Sequence, residues 1–208
     1  MPVKIDSREY RRINAAEMET RAEEDGRRIV EGYATTFNQP YELMRTKDMI
    51  VKEQVDPEAF SETDMSDTIM QYDHQGRVFA RVKNGTLRLE PDAHGLKVIA
   101  DLGGTEIGRQ LYEEIRGGYT DKMSFGFTID RTEETRTDLE NGAIDVLIRI
   151  LRVAKLYDVS AVSIPANDGT SIGVETRNQI DGVIERARAE RLEKAKLELK
   201  KRIIKKGL

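Results

Sequence analysis

A chain of 208 residues suggests one domain with an appendage, and a body of roughly 150 to 170 residues buries a real core without staples. With no cysteine and only His74 and His94, disulfides, thiolate metal sites and cysteine nucleophiles are excluded, and a multi-histidine metal site is disfavoured. Charged residues reach 35% at a net charge of −4, so many must sit on tails or solvated helices, and the balance argues against a nucleic-acid partner for the whole chain.

From Arg11 to about Ile164 the texture is mainly strand. "RIVEGYATTF" (28–37) is β-rich, with Gly32 marking a bend or bulge, and "ELMRTKDMIVKEQV" continues as another extended stretch. Asp56 followed by Pro57 makes an N-cap and first-turn pair, which predicts a short helix in "VDPEAFSETD". "DTIMQYDH" and "RVFARV" read as strands. In "GTLRLEPDAHGLKVIADL", Leu87 and Leu89 alternate with polar residues, "PDAHG" turns the chain, and Leu96, Val98 and Ala100 resume the pattern of a hairpin.

"TEIGRQLYEEIRGG" is the clearest helix of the body. Thr105 can cap it, Ile107, Leu111 and Ile115 form an apolar stripe, and Gly117-Gly118 end it. "TDKMSFGFTID" (120–130) follows as a strand. Met123, Phe125, Phe127 and Ile129 alternate with Ser124, Gly126, Thr128 and Asp130, so Ser124 points away from the apolar face into space that Gly126 leaves clear. "RTEETRTDLENG" reads as a charged connector, and the stretch from Ala143 to Asn167 as two strands or one long bent one, closing at Pro165.

After Thr176 the texture becomes helical, with Ile184, Leu192, Ala195, Leu199 and Ile203 on one stripe. From Asp181 onward ten Lys or Arg stand against five Asp or Glu, a local +5 that leaves −9 for the rest. A basic helix on an acidic body is either an interaction tail or a solvated helix packed on its own domain or on a copy of itself. No run approaches the roughly 18 apolar residues of a membrane span, and the N-terminus lacks a signal-peptide core, so the chain is expected to be intracellular, without a membrane partner.

The reactive groups left are hydroxyls, histidines and carboxylates. A serine becomes a nucleophile when a base takes its proton and a third group orients that base. His74 lies where a β-rich run meets a turn, among the polar residues Asp73, Gln75 and Arg77, whereas His94 reads as an exposed hairpin tip. Asp158 interrupts a long apolar strand, where an ionised carboxylate needs a partner to offset its desolvation unless it faces solvent from an edge. Taken singly, none of these residues is specific.

Seven segments in order are. "EGYATTFN" (31–38), "VDPEAF" (55–60), "DHQGRVFARVKNGTLRLE" (73–90), "GLKVIADL" (95–102), "GRQLYEEIRGG" (108–118), "MSFGF" (123–127) and "LYDVSAVSIPAN" (156–167) resemble the prohead proteases of tailed bacteriophages, serine peptidases related to the herpesvirus assemblins. The resemblance runs from about Arg28 to Gly173. It places the catalytic serine on Ser124, the histidine on His74 and the third position on Asp158. Aspartate there, where glutamate is common, is a departure that leaves Asp73 as a substitute. The implied fold is α+β: an assemblin-like β-barrel core with flanking helices in a catalytic domain over residues 1–176, plus a basic amphipathic C-terminal helix over 177–208.

The implied activity is endopeptidase cleavage of the scaffold or of the major capsid protein's N-terminal extension, and commonly of the protease itself, inside the immature head in the host cytoplasm. No cofactor is implied, and a homodimer or higher oligomer is open. The sequence does not identify the oxyanion stabiliser: backbone N–H groups near the serine or in the charged connector are candidates, and Arg81 and Arg149 are either electrostatic helpers or solvated strand arginines. The tail would dock on scaffold or capsid protein and be a target for self-removal. The alternative is a non-enzymatic scaffold or head component with a protease-like body.

Overall fold

The computed structural model describes residues 8–13, 18–163 and 174–205. Eleven strands run in chain order: β1 Glu9–Ile13, β2 Glu19–Ala22, β3 Arg28–Thr36, β4 Tyr41–Arg45, β5 Met49–Val55, β6 Ile69–Tyr72, β7 Gln75–Arg81, β8 Leu87–Pro91, β9 Gly95–Asp101, β10 Lys122–Asp138 and β11 Ile144–Val162. Two α-helices accompany them, α1 Glu106–Arg116 and α2 Val174–Lys205.

The strands form two sheets. One has the order β1-β10-β11-β5-β4, with β6 also on β11 and β7 on β6; the other has the order β2-β3-β9-β8. Strand β11 organises the first. Its N-terminal half pairs in parallel with β5 over Ile144–Ile150, and its C-terminal half pairs in parallel with β6 over Asp158–Ala161. Along its other edge it pairs with β10 in antiparallel register from Lys122↔Val162 to Asp138↔Ile144.

Apolar alternation explains most of this. In β5, Met49, Val51 and Val55 are buried at every second position. On β10, Met123, Phe125, Phe127 and Ile129 point into the core, where they meet Leu96, Val98 and Ala100 of β9 and Leu111, Tyr112 and Ile115 of α1. Phe125 and Phe127 stack at 4.4 Å between centroids. Each such phenylalanine contributes about 1.5–3 kcal/mol through burial, so this patch fixes the start of β10 as firmly as anything in the fold.

Several expectations are corrected. Among the described residues the sheets do not close into a barrel: they meet at an isolated bridge, Phe37↔Val55, and each keeps open edges. Residues 57–62 form successive turns rather than a helix, because the bonds Ala59 N–H to Asp56 O, Ser61 N–H to Glu58 O and Thr63 N–H to Phe60 O all span three residues. The extended stretch from Tyr41 to Val55 is a hairpin of β4 and β5. The charged "connector" is the second half of β10, and its turn spans only 139–143.

Gly32 is not itself the bulge, which falls between Tyr33 and Thr35. A side chain there would press within 3.0 Å of the Met123 sulfur, so the glycine lets β3 approach the strand carrying Ser124.

Helix α1 behaves as its sequence says. Thr105 accepts from the Gly108 N–H at 3.0 Å, and Leu111, Tyr112 and Ile115 are buried. Helix α2 packs its early turns on its own domain: Ile180, Val183 and Ala187 sit against Met49, Val51, Ile144, Val146 and Ile148. Leu192, Leu199 and Ile203 of the expected stripe are instead exposed.

Candidate functional site

The fold converges three strand segments on one point. Ser124 of β10 lies opposite Ser160 of β11 and Gly126 lies opposite Asp158, so the side chains of Ser124, Ser160 and Asp158 rise from one face of the ribbon. On the far side of β11, β6 pairs Asp158 with Ile69 and Ala161 with Tyr72, which brings the end of β6 alongside.

There the chain reverses in two residues. Tyr72 pairs with Gln75, leaving Asp73 (φ 47°) and His74 (φ 60°) as the turn. Positive φ at both central residues is what the right-handed twist of a two-residue hairpin demands, a role usually filled by Asn-Gly or Asp-Gly. A non-glycine side chain in that region costs on the order of 1–3 kcal/mol, and such strain collects at functional sites. The end of β11 offsets it: the Asp73 N–H donates to Ala161 O at 2.9 Å, and the Asp73 carboxylate accepts the Ser163 N–H at 3.2 Å and the Ser163 hydroxyl at 2.9 Å.

The result is a line of short contacts. His74 Nε2 stands 2.6 Å from Ser124 Oγ, and His74 Nδ1 stands 2.6 Å from Asp158 Oδ1. An ionised Asp158 only accepts, so the proton on the imidazole belongs at Nδ1, which leaves Nε2 to accept from the serine hydroxyl. Ser160 Oγ donates to the same Asp158 oxygen at 2.7 Å, while the Arg8 guanidinium bonds Oδ2.

Burial pushes the Asp158 carboxyl up. The hydrogen bond and charge of His74, the Ser160 hydroxyl and the Arg8 cation outweigh it and hold the group below its ordinary value. Asp158 is therefore a carboxylate at neutral pH despite having no exposed surface.

Among the sequence candidates, the structure brings together Ser124, His74 and Asp158. It turns Asp73 to Ser163 instead, and it keeps His94 at the β8–β9 turn, edge-on to Tyr33 at 4.6 Å. Arg81 is tied to Asp67, and Arg149 to Asp56 and Glu133. The face of β10 carrying Ser124, expected to be open, is enclosed: the residue has 0% exposure.

Two participants escaped the sequence reading. Ser160 was accessible to it, since it lies two residues beyond Asp158 on the same strand face. Arg8 was not, because 150 residues separate it from Asp158 and only folding joins them.

Beside the His74 turn, a cavity of about 400 Å³ opens between β7 and α1, lined by Tyr72, Arg77, Phe79, Ile107, Leu111 and Glu114. Among the described residues no group of three or more histidines, aspartates or glutamates could hold a metal ion, and no helix is long and apolar enough to cross a membrane.

Chemically, a hydroxyl, an imidazole and a fixed carboxylate in series are what a hydrolase with a serine nucleophile requires. The family model of the Caudovirus prohead serine proteases matches residues 16–183, and the chain belongs to that family. It is accordingly a bacteriophage serine protease of capsid maturation, a hydrolase that works in the procapsid on capsid proteins. No curated protein and no solved structure matches it.

Proposed function

We propose that Ser124 is the nucleophile of this protease, His74 its general base and acid, and Asp158 the group that orients the imidazole. His74 Nε2 takes the hydroxyl proton as Ser124 Oγ adds to the substrate carbonyl carbon. The same nitrogen then returns the proton to the leaving amine as the peptide C–N bond breaks, forming an acyl-enzyme that water hydrolyses by the reverse sequence. Asp158 accepts from Nδ1–H throughout and offsets the charge of the imidazolium.

The observation that carries this reading is the pair of 2.6 Å contacts through one imidazole, made by residues fifty and eighty-four positions apart. Substrates are the scaffold, the N-terminal extension of the major capsid protein, or both, and the chain also cuts itself. The cavity beside His74 receives a substrate side chain flanking the scissile bond. Exposed leucines and isoleucines on the distal half of α2 meet scaffold or capsid protein.

Mass spectrometry of the chain co-expressed with the head proteins tests the assignment. Ser124→Ala is expected to lower turnover by on the order of 10⁶, leaving the chain and the capsid protein intact. Truncated products that persist in Ser124→Ala defeat it.

A further inference from the structure

We infer that Arg8, carried into the site by the N-terminal strand β1, is a positioning residue for the protease: its guanidinium fixes Asp158 so that the carboxylate holds His74 in line with Ser124. The inference rests on the assignment of those three residues proposed above.

Asp158 divides its two oxygens between distinct tasks. Oδ1 takes the His74 Nδ1–H and the Ser160 hydroxyl, and Oδ2 takes Arg8. A buried carboxylate with donors on one oxygen only is free to rotate about its terminal torsion, which is broad for aspartate. Donors on both oxygens pin that torsion, and the imidazole inherits the orientation. A guanidinium suits the task because it is planar, permanently charged and directional, where an ammonium is a rotating point charge.

Arg8 is itself held in place. Its guanidinium lies over the Tyr157 ring at 4.7 Å, and Lys155 approaches the same ring at 5.6 Å. The following residues, Glu9–Ile13, pair with β10 in antiparallel register, with Arg12 opposite Ser124 itself. The strand that carries the nucleophile thus also anchors the arm that steadies the third member of the relay.

Among the described residues, the charged and titratable groups bonded to Asp158 are Arg8 from the arm and His74 from the β6–β7 turn, with the Ser160 hydroxyl on the same carboxylate. Arg8 lies outside residues 16–183, the span matched by the family model. The family match therefore assigns it no role.

The test is proton NMR of the imidazole in the full-length chain with Ser124→Ala, which prevents self-cleavage. With only two histidines, the low-field Nδ1–H resonance of His74 is assignable by Asp158→Asn, which must abolish it. Arg8→Ala is expected to broaden that resonance into solvent exchange, and Arg8→Lys to restore it in part, with the His94 ring signals unchanged and the chain still cooperatively folded. In the Ser124-containing chain, Arg8→Ala slows capsid-protein cleavage by on the order of tenfold to a hundredfold, the scale of a modest misalignment.

An unchanged resonance in Arg8→Ala overturns the inference and leaves the relay standing. Loss of the signal only together with the His94 signals and the global fold overturns it as well, because Arg8 is then merely structural. If Asp158→Asn leaves the resonance in place, the relay itself falls and the role of Arg8 falls with it.

Discussion

Asp158 rises from β11 directly opposite Gly126 on β10, so the carboxylate stands beside the one residue of the Ser124 strand that has no side chain. Gly126 seemed from the sequence to clear space around Ser124. The pairing places it opposite the carboxylate as well.

Gly126→Val is therefore expected to keep the fold and lose the reaction. Valine favours strands more than glycine does, so the sheet does not suffer from propensity. Its branched side chain would share a face with Asp158 and displace the relay. Turnover should fall by on the order of a hundredfold or more at an unchanged far-ultraviolet circular dichroism spectrum.

The two aspartates near His74 separate cleanly. Asp158→Asn replaces the acceptor at Nδ1 with a group that can favour the wrong tautomer, and should cost on the order of 10⁴ in kcat. Asp73→Asn keeps a residue that tolerates positive φ and keeps one acceptor for Ser163, so kcat should stay within about tenfold. Rates measured side by side on the same capsid substrate decide the matter; equal losses would make the turn, rather than the bond from Asp158 to His74, the critical element.

Filling the cavity between β7 and α1 should tax binding rather than chemistry. Ile107→Trp projects from a half-buried position at the wall of that space. KM is expected to rise severalfold or more with kcat little changed, the signature of lost uniform binding. A fall in kcat at constant KM would mean that the cavity does not receive substrate.

Helix α2 is predicted to contribute stability unevenly. Ile180→Ala removes a buried side chain from the contact with β5 and β11 and should cost about 2–5 kcal/mol in urea unfolding. Leu199→Ala acts at an exposed position and should stay within about 0.5 kcal/mol.

Acid should weaken the fold in a defined window. Hydrogen bonding from Ser66 and Lys155 lowers the Asp64 carboxyl from 3.8 to about 2, and Asp158 is also held below 3.8. Both bind protons more weakly folded than unfolded. Their stabilising effect is therefore whole above pH 3.8 and is lost as pH falls through the folded values, at about pH 2 for Asp64. Urea midpoints across that range should decline less steeply for Asp64→Asn than for the parent chain.

What the sequence disclosed depended on whether apolar residues marked the period. The strand from Met123 to Ile129, the β8–β9 hairpin and the capped helix α1 all announce themselves that way. The second half of β10 does not. Asp130, Thr132, Glu134 and Arg136 form its half-buried face, and ion pairs of Asp130 with Arg152, Glu134 with Arg186 and Arg136 with Glu190 take the place of apolar contacts. A strand satisfied by charge looks like a linker.

Barrel closure was equally illegible, because it depends on whether distant edges meet. The site divides along the same line. Ser124 is placed by apolar alternation and Asp158 stands out by interrupting an apolar strand, but their meeting with His74 depends on β6 lying parallel to β11, a pairing between segments more than eighty residues apart.

The enclosure of Ser124 gives the molecule a way to be complete and silent at once. The line from Ser124 through His74 to Asp158 is fully hydrogen-bonded while the serine itself has no exposed surface. A peptide carbonyl can reach the Ser124 oxygen only after the residues that enclose it move.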